Sequence, residues 1–331
     1  MTVTGGRKRI VNMAGLALLL VLPALAQAAD SPFFVSVATR VLIYGLAALS
    51  LDLILGYGGM VSFGHAAFVG LGAYAVGILA HHHADGSLIP FLPGAWEGSA
   101  QALIQWPLAM LVGGLFALVI GALSLRTSGV YFIMITLAFA QMLYHFMVSL
   151  PTYGGQDGLS LWQRSELPLI DLNDDVAFYY VALVLLLLAL VVVRRLIASP
   201  FGMVLRGARQ NEARLVSLGV PATRYKLTAF VIAGAIAGLA GALLANHTEF
   251  VGPGMMHWTR SGEILIMVIL GGVGTLYGAI VGAATLLLLE EGLAGLTEHW
   301  MIFLGPFLVF VVLFARRGIY GWLAGREAGD D

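Results

Sequence analysis

Hydrophobic and polar positions in this chain come in blocks rather than in alternation. Ten almost continuously apolar segments fall at roughly 10–28, 36–55, 61–80, 104–123, 128–149, 177–193, 227–246, 262–274, 275–289 and 300–315, most of them separated by more polar links of varied length. A helix needs about 20 apolar residues to cross the hydrocarbon core of a bilayer, and most of these runs supply that length. Segments 262–274 and 275–289 are short for a full span and read as one broken element or as two tilted spans. Transmembrane barrel strands alternate apolar and polar positions, and these runs are apolar on every face, which excludes a barrel. The pattern predicts an all-α, polytopic membrane protein with about ten transmembrane helices, eight at the fewest. Composition agrees: 60% of the residues are hydrophobic, 11% are charged, and the mean hydropathy is +0.92. A soluble domain of 331 residues would need far more polar surface.

The basic residues give the orientation. Arg7, Lys8 and Arg9 precede the first segment, Arg126 sits in the link after the fourth, seven more basic residues lie in 194–226, and Arg316, Arg317 and Arg326 follow the last. In a ten-span chain these 14 of the 17 basic residues share one side, leaving Arg40, Arg164 and Arg260 near the other. Positive charge stays cytoplasmic, so both termini are expected in the cytoplasm. The organisation expected is a cytoplasmic tail and first span over 1–35, a transmembrane domain over 36–317, and a cytoplasmic tail over 318–331. The first segment has a second reading: basic residues, an apolar run and Ala24-Leu25-Ala26 resemble a cleavable signal peptide. The outer link 151–176 is long, polar and turn-rich, and is expected to form a small external cap.

Glycine interrupts two spans. Gly56, Gly58, Gly59 and Gly64 crowd the start of the third segment, and a Gly58-Gly59 pair holds a regular helix weakly. Non-helical backbone in a membrane must be buried in protein or line a cavity. Residues 56–64 are therefore expected to be interrupted or re-entrant, with a helix restarting near Ser62–His65; close helix packing by Gly64, Gly70 and neighbouring small residues is the alternative to lining a pathway. The N–H groups at that restart would bind a carboxylate or be capped by a side chain. The second cluster, at 271–282, holds Gly271, Gly272 and Thr275, and its Gly278-Ala279-Ile280-Val281-Gly282 spacing favours close helix contact. Transporters built from internal repeats carry interruptions at matching positions.

Few polar side chains enter the spans. Asp52 is expensive inside a membrane; water or the Gly56–Gly59 backbone is its expected partner, and contact with a substrate ammonium is the alternative. His65 beside the break reads as a hydrogen-bonded structural residue or as a proton carrier. His81-His82-His83 lacks spaced carboxylate or cysteine partners, so a solvated loop fits better than a zinc site. The chain has no cysteine, Glu290-Glu291 has no histidine partner at helical spacing, and no catalytic constellation is present. Energy for any transport must come from an ion gradient or from a partner protein.

The stretch 194–226 stands out as a cationic island between two apolar runs. Pro200 and Phe201-Gly202 open it with a turn, residues 203–218 favour one helix, and Gly219 with Pro221 ends it. Arg206, Arg209 and Glu212 share a polar face. Docking on a soluble partner and adhesion to anionic lipid both suit such a segment.

The sequence FGMVLRGARQNEARLVSLGVPATRYKLTAFVIAGAIAGLAGAL, with GYGGMVSFGHAAFVGLGAY before it and VILGGVGTLYGAIVGA after it, resembles the permeases of branched-chain amino acid ABC transporters, in matching order from about 36 to 317. The longer of the two homologous permeases of such systems is the nearer likeness, and close relatives carry urea or short amides. The resemblance implies a coupling helix within 200–220 that seats on a cytoplasmic ATPase subunit through Arg206, Arg209, Asn211 and Glu212, with Gly219 setting the turn. It implies two ATPase subunits that bind ATP and Mg, a second permease, a periplasmic binding protein and a small hydrophobic amino acid as substrate, all at the bacterial inner membrane. No cofactor is implied on this chain, no enzymatic activity, and no nucleic acid. The implied pathway is bordered by Asp52, Gly58, Gly59, Ser62, His65, Gly271, Gly272 and Thr275. An ion-coupled carrier is the competing class, and it would need Asp52 or His65 to titrate.

Overall fold

A computed structural model describes residues 3–28, 32–89, 96–295 and 318–324, with positions 299, 302, 305, 306 and 309. The chain is helical almost throughout. Helix α1 (Val3–Ala28) leads into α2 (Pro32–Asp52), which continues as one π-helical turn over Leu53–Tyr57. After a non-helical stretch come α3 (His65–Asp85), α4 (Ala102–Ser124) and α5 (Val130–Val148). Helix α6 (Asp175–Ala198) is followed by the short α7 (Pro200–Gln210) and α8 (Glu212–Ser217), then by the long α9 (Ala222–Thr248). Helices α10 (Trp258–Gly271) and α11 (Tyr277–Ala294) form a hairpin, and α12 (Gly318–Ala324) packs on α11, α10 and α1. Seven helices among the described residues are long and apolar enough to cross a membrane: α1, α2, α4, α5, α6, α9 and α11. Helix α3 has 21 residues. Helix α10 has only 14, about 21 Å at 1.5 Å per residue, less than a bilayer core. The expected segment 300–315 lies largely outside the described residues, as do Arg316, Arg317 and Arg326.

Helices α2 and α9 form the centre, and glycine lets their neighbours approach to backbone contact. A Cβ on Gly241 of α9 would strike the Val69 carbonyl of α3, one on Gly238 the Ala109 carbonyl of α4, and one on Gly113 the Gly234 carbonyl of α9. The α10–α11 hairpin closes the same way, Gly271 against the Gly278 carbonyl and Gly282 against that of Met267. Lipid offers no hydrophobic drive for helices to associate, so close packing of this kind is what holds them.

Helix α1 is bound by the defect in its own ladder. Pro23 has no N–H and leaves the Leu19 carbonyl without its helical donor; the Tyr179 hydroxyl of α6 donates to that oxygen at 2.7 Å. Tyr180 donates to Leu20 at 3.2 Å, and Tyr320 of α12 to Asn12 at 2.9 Å.

At one end, the 151–176 link is clipped down as a cap. Strand β1 (Leu159–Ser160) pairs antiparallel with β2 (Phe250–Val251), which follows α9. Buried Ser165 takes the Asn246 carboxamide oxygen on both its amide, at 2.6 Å, and its hydroxyl, at 2.8 Å. Asp174 caps α6, accepting from Val176 and Ala177. Burial holds the Tyr153 phenol in this cap above its ordinary pKa, so it stays protonated beside His82.

Gly241→Ala is expected to destabilise the protein by about 3 kcal/mol, because the obstacle is backbone that cannot move aside. Gly15→Ala, in open space on α1, should be neutral or stabilising by up to about 1 kcal/mol. Thermal unfolding of the detergent-purified variants measures both.

Candidate functional site

The two glycine clusters meet at one joint, and the cationic island reaches it. Below Asp52, α2 slackens into the Leu53–Tyr57 π turn and stops. Gly59 takes the left-handed conformation (φ 68°), which closes the end with Gly59 N–H donating to Leu55 at 3.1 Å and Met60 N–H to Ile54 at 2.9 Å. The chain runs on non-helical to His65, where α3 begins. Side chains take two of the N–H groups at that helix start: Ala66 N–H donates to the Ser261 hydroxyl of α10 at 3.0 Å, and Gly64 N–H to Ser62 at 3.3 Å. The side chains of Asp52, Ser62 and His65 are fully buried. His65 Nε2 meets Ser50 at 2.7 Å, and its Nδ1 has no hydrogen-bond partner.

The second break covers Gly272–Leu276, between α10 and α11. Gly272 and Gly274 have φ of 116° and 80°, and Leu276, a non-glycine, is held at 51°, which costs on the order of 1 kcal/mol or more. This irregular backbone points its N–H groups at Asp52. Oδ1 accepts from Gly274 at 2.7 Å and Oδ2 from Leu276 at 3.2 Å. The expected partner, the Gly56–Gly59 backbone, is corrected: N–H groups there are spent within their own turn, whereas those of Gly274 and Leu276, between the two helices, turn to Asp52. The Tyr57 hydroxyl adds a bond to the Gly274 carbonyl at 2.7 Å, and Thr275 closes the link by donating to Gly272 at 2.6 Å.

The island itself departs from the expected single helix over 203–218. It is two helices with Asn211 between them, extended (φ −158°, ψ 96°) and capping α8 by accepting from Arg214 N–H at 3.0 Å. Asparagine side chains compete with helical backbone in this way. The opening turn at Pro200–Gly202 is also corrected: Pro200 is the first residue of α7, where its missing N–H and fixed φ cost nothing. Gly219 ends the segment with φ 80°. Leu205 and Ala208 face inward and are buried, whereas Arg206, Met203, Val216 and Leu218 are exposed. Glu212 pairs with Lys226 of α9. The Arg209 guanidinium turns away from the shared face and donates to the Gly56 carbonyl, its stem lying against Gly59.

The three expected outer cations lie at the far end from α7, each with acidic partners. Arg40 faces Glu290 at 3.5 Å and Glu291 at 3.9 Å, Arg164 meets Asp175 at 2.6 Å and Glu249 at 3.5 Å, and Arg260 meets Glu263 at 2.7 Å. Glu290-Glu291 is thus an ion-pair partner. Among the described residues no group of His, Cys, Asp or Glu is placed to hold a metal ion; His81 pairs with Asp85 and His82 bonds Ser87. Sequence reading missed Tyr57, Ser261 and Leu276. Tyr57 and Leu276 carried a signal, each lying inside a glycine cluster, and Ser261 carried none.

Residues 33–312 match the family model described as branched-chain amino acid transport system, permease component. The chain belongs to that family. Among its relatives, the high-affinity branched-chain amino acid transport system permease protein LivM of Salmonella typhimurium is 30% identical, over 91% of this chain and 74% of its own. LivM of Escherichia coli is 29% identical over the same shares. A probable branched-chain amino acid transport permease of Methanocaldococcus jannaschii is 26% identical over 72% of this chain and 75% of its own. No solved structure matches. The permease is a multi-pass transport subunit rather than an enzyme, and in its family it works as one component of an ABC import system.

Asp52→Asn retains the shape of the permease's joint but leaves one buried N–H facing an amide. It should lower thermal stability by about 2 kcal/mol, measured by unfolding in detergent; an unchanged melting temperature would show that the two N–H bonds do not hold the joint.

Proposed function

We propose that the permease carries leucine, isoleucine and valine across the bacterial inner membrane by ATP-driven alternating access, with both termini in the cytoplasm. The α7–α8 segment seats on a cytoplasmic ATPase, a homologous second permease completes the pathway, and a periplasmic binding protein delivers substrate at the capped end. ATP and Mg act on the two ATPase subunits.

The observation that carries this reading is the bond from Arg209 of α7 to the Gly56 carbonyl. It ties the docking segment to the first broken span, and Asp52 ties that span to the second. Movement of α7 on ATPase closure would reach both breaks without crossing packed helix, and rigid-body movement about such joints is how domain closure is transmitted. In this reading Gly58, Gly59, Ser62, His65, Gly271, Gly272 and Thr275 form the joint at the pathway border. Arg206, Asn211, Glu212 and Gly219 shape the docking surface, where exposed Met203, Val216 and Leu218 add apolar contact. Asp52 accepts two backbone N–H bonds and His65 is enclosed, which suits a joint better than an ion relay.

In proteoliposomes holding the full importer and its binding protein, Arg209→Ala should cut ATP-driven leucine uptake at least tenfold, with a smaller fall in ATP hydrolysis. Uptake of urea but not leucine would change the substrate. Leucine uptake driven by an ion gradient without ATPase would overturn the mechanism.

A further inference from the structure

At the far end from α7, a cavity of about 540 Å³ opens between α2, α9, α10 and the link after α9. Small-molecule sites commonly occupy about 300–1,000 Å³. Arg40 on its wall is twelve residues along α2 from Asp52, about 18 Å at helical rise, so the cavity is well separated from the joint. Val37, Val69, Leu244, Met255 and Ile264 give it an apolar wall, and Arg40, Arg260 and Glu291 give it a charged rim.

The rim charges are not equally engaged. Arg260 is held by Glu263 at 2.7 Å. Arg40 is only loosely paired: its contacts of 3.5 Å to Glu290 and 3.9 Å to Glu291 are well beyond the roughly 2.7–2.9 Å of a direct charge-assisted bond. The Arg40 and Glu291 side chains are 32% and 37% exposed. Tyr44 lies under the guanidinium, 5.9 Å from ring centre to Cζ, and orients it. Two opposite charges that face each other without closing, above an apolar hollow, are complementary to a zwitterion with an aliphatic tail. Guanidinium binds a carboxylate in two-point fashion, a carboxylate takes an ammonium, and the tail lies on the apolar wall. Neutral urea offers neither charge.

We propose that this cavity binds a zwitterionic aliphatic amino acid, with Arg40 taking its carboxylate and Glu291 its ammonium. The proposal rests on the branched-chain reading above and places its substrate.

The chain has no cysteine, so Ser36→Cys, on the cavity wall, gives a single reporter thiol in this subunit of the intact importer. Millimolar leucine should slow maleimide labelling of that thiol at least fivefold. 3-Methylbutylamine, which lacks the carboxylate, and 4-methylpentanoate, which lacks the ammonium, should not. Adding Arg40→Gln or Glu291→Gln should abolish the protection, and Arg40→Lys should restore part of it. A thiol at exposed Ala84 should label at the same rate throughout. Co-purification of the ATPases with each variant reports that it has folded. ATP-driven leucine uptake by the same preparation separates the two ideas. Uptake without protection at Ser36→Cys, or protection that survives both charge substitutions, overturns the cavity assignment and leaves the transport reading standing. No leucine uptake at all overturns both.

Discussion

The Asp52 carboxylate is the interaction on which the rest of the arrangement depends. A carboxylate with no water and no partner would be intolerable within a membrane protein, and a stretch of irregular backbone with unspent N–H groups would be equally so. Here each satisfies the other. The 272–276 link supplies donors because it has left helical geometry, and Asp52 can remain buried because those donors converge on it. Remove either side and the other becomes a buried group without a partner. The constraint fixes the α2 terminus against the α10–α11 hairpin and holds Leu276 in a backbone conformation that it would not otherwise adopt.

Glycine serves two different purposes in the chain. In α3, α4 and α9 it removes side chains so that backbones touch, which makes the centre rigid. At Gly59, Gly272 and Gly274 it permits positive φ, which lets the backbone leave the helix. A rigid centre beside irregular joints is what alternating access needs: the helices move as bodies, and the few residues between them absorb the change in dihedral angles. The π turn at Leu53–Tyr57 fits the same logic, since it loosens the last turn of α2 next to the break.

Much of this was legible in the sequence because membrane helices declare themselves in continuous apolar runs. The interruptions at 56–64 and within 271–282 were legible because glycine crowds there, although the Gly113-Gly114 pair inside unbroken α4 shows that paired glycines alone do not break a helix. What sequence could not supply was pairing between distant positions. Nothing in the residues around Asp52 announces Gly274 and Leu276, more than 220 positions away. Nor does the periodicity of 203–218 announce that Asn211 splits it, because one asparagine weakens a helix only slightly and its capping geometry decides the outcome. Arg209 shows the limit clearly. Its spacing placed it on a shared polar face with Arg206, but its length lets the guanidinium leave that face for the Gly56 carbonyl.

The distribution of charge gains a second meaning from the structure. In the orientation proposed above, Arg40, Arg164 and Arg260 are three cations on the side that the positive-inside rule disfavours. Each stands opposite at least one carboxylate, so the far end holds them as ion pairs rather than as net positive charge. Two of those cations are bonded at 2.7 Å or closer, and Arg40 is not. A purely structural neutraliser has no reason to stay open, because closing the last ångström onto Glu290 or Glu291 would strengthen the pair. An arginine that lies over the Tyr44 ring and is paired only at 3.5 and 3.9 Å with Glu290 and Glu291, beside an apolar hollow, can exchange those contacts for a carboxylate that enters the cavity.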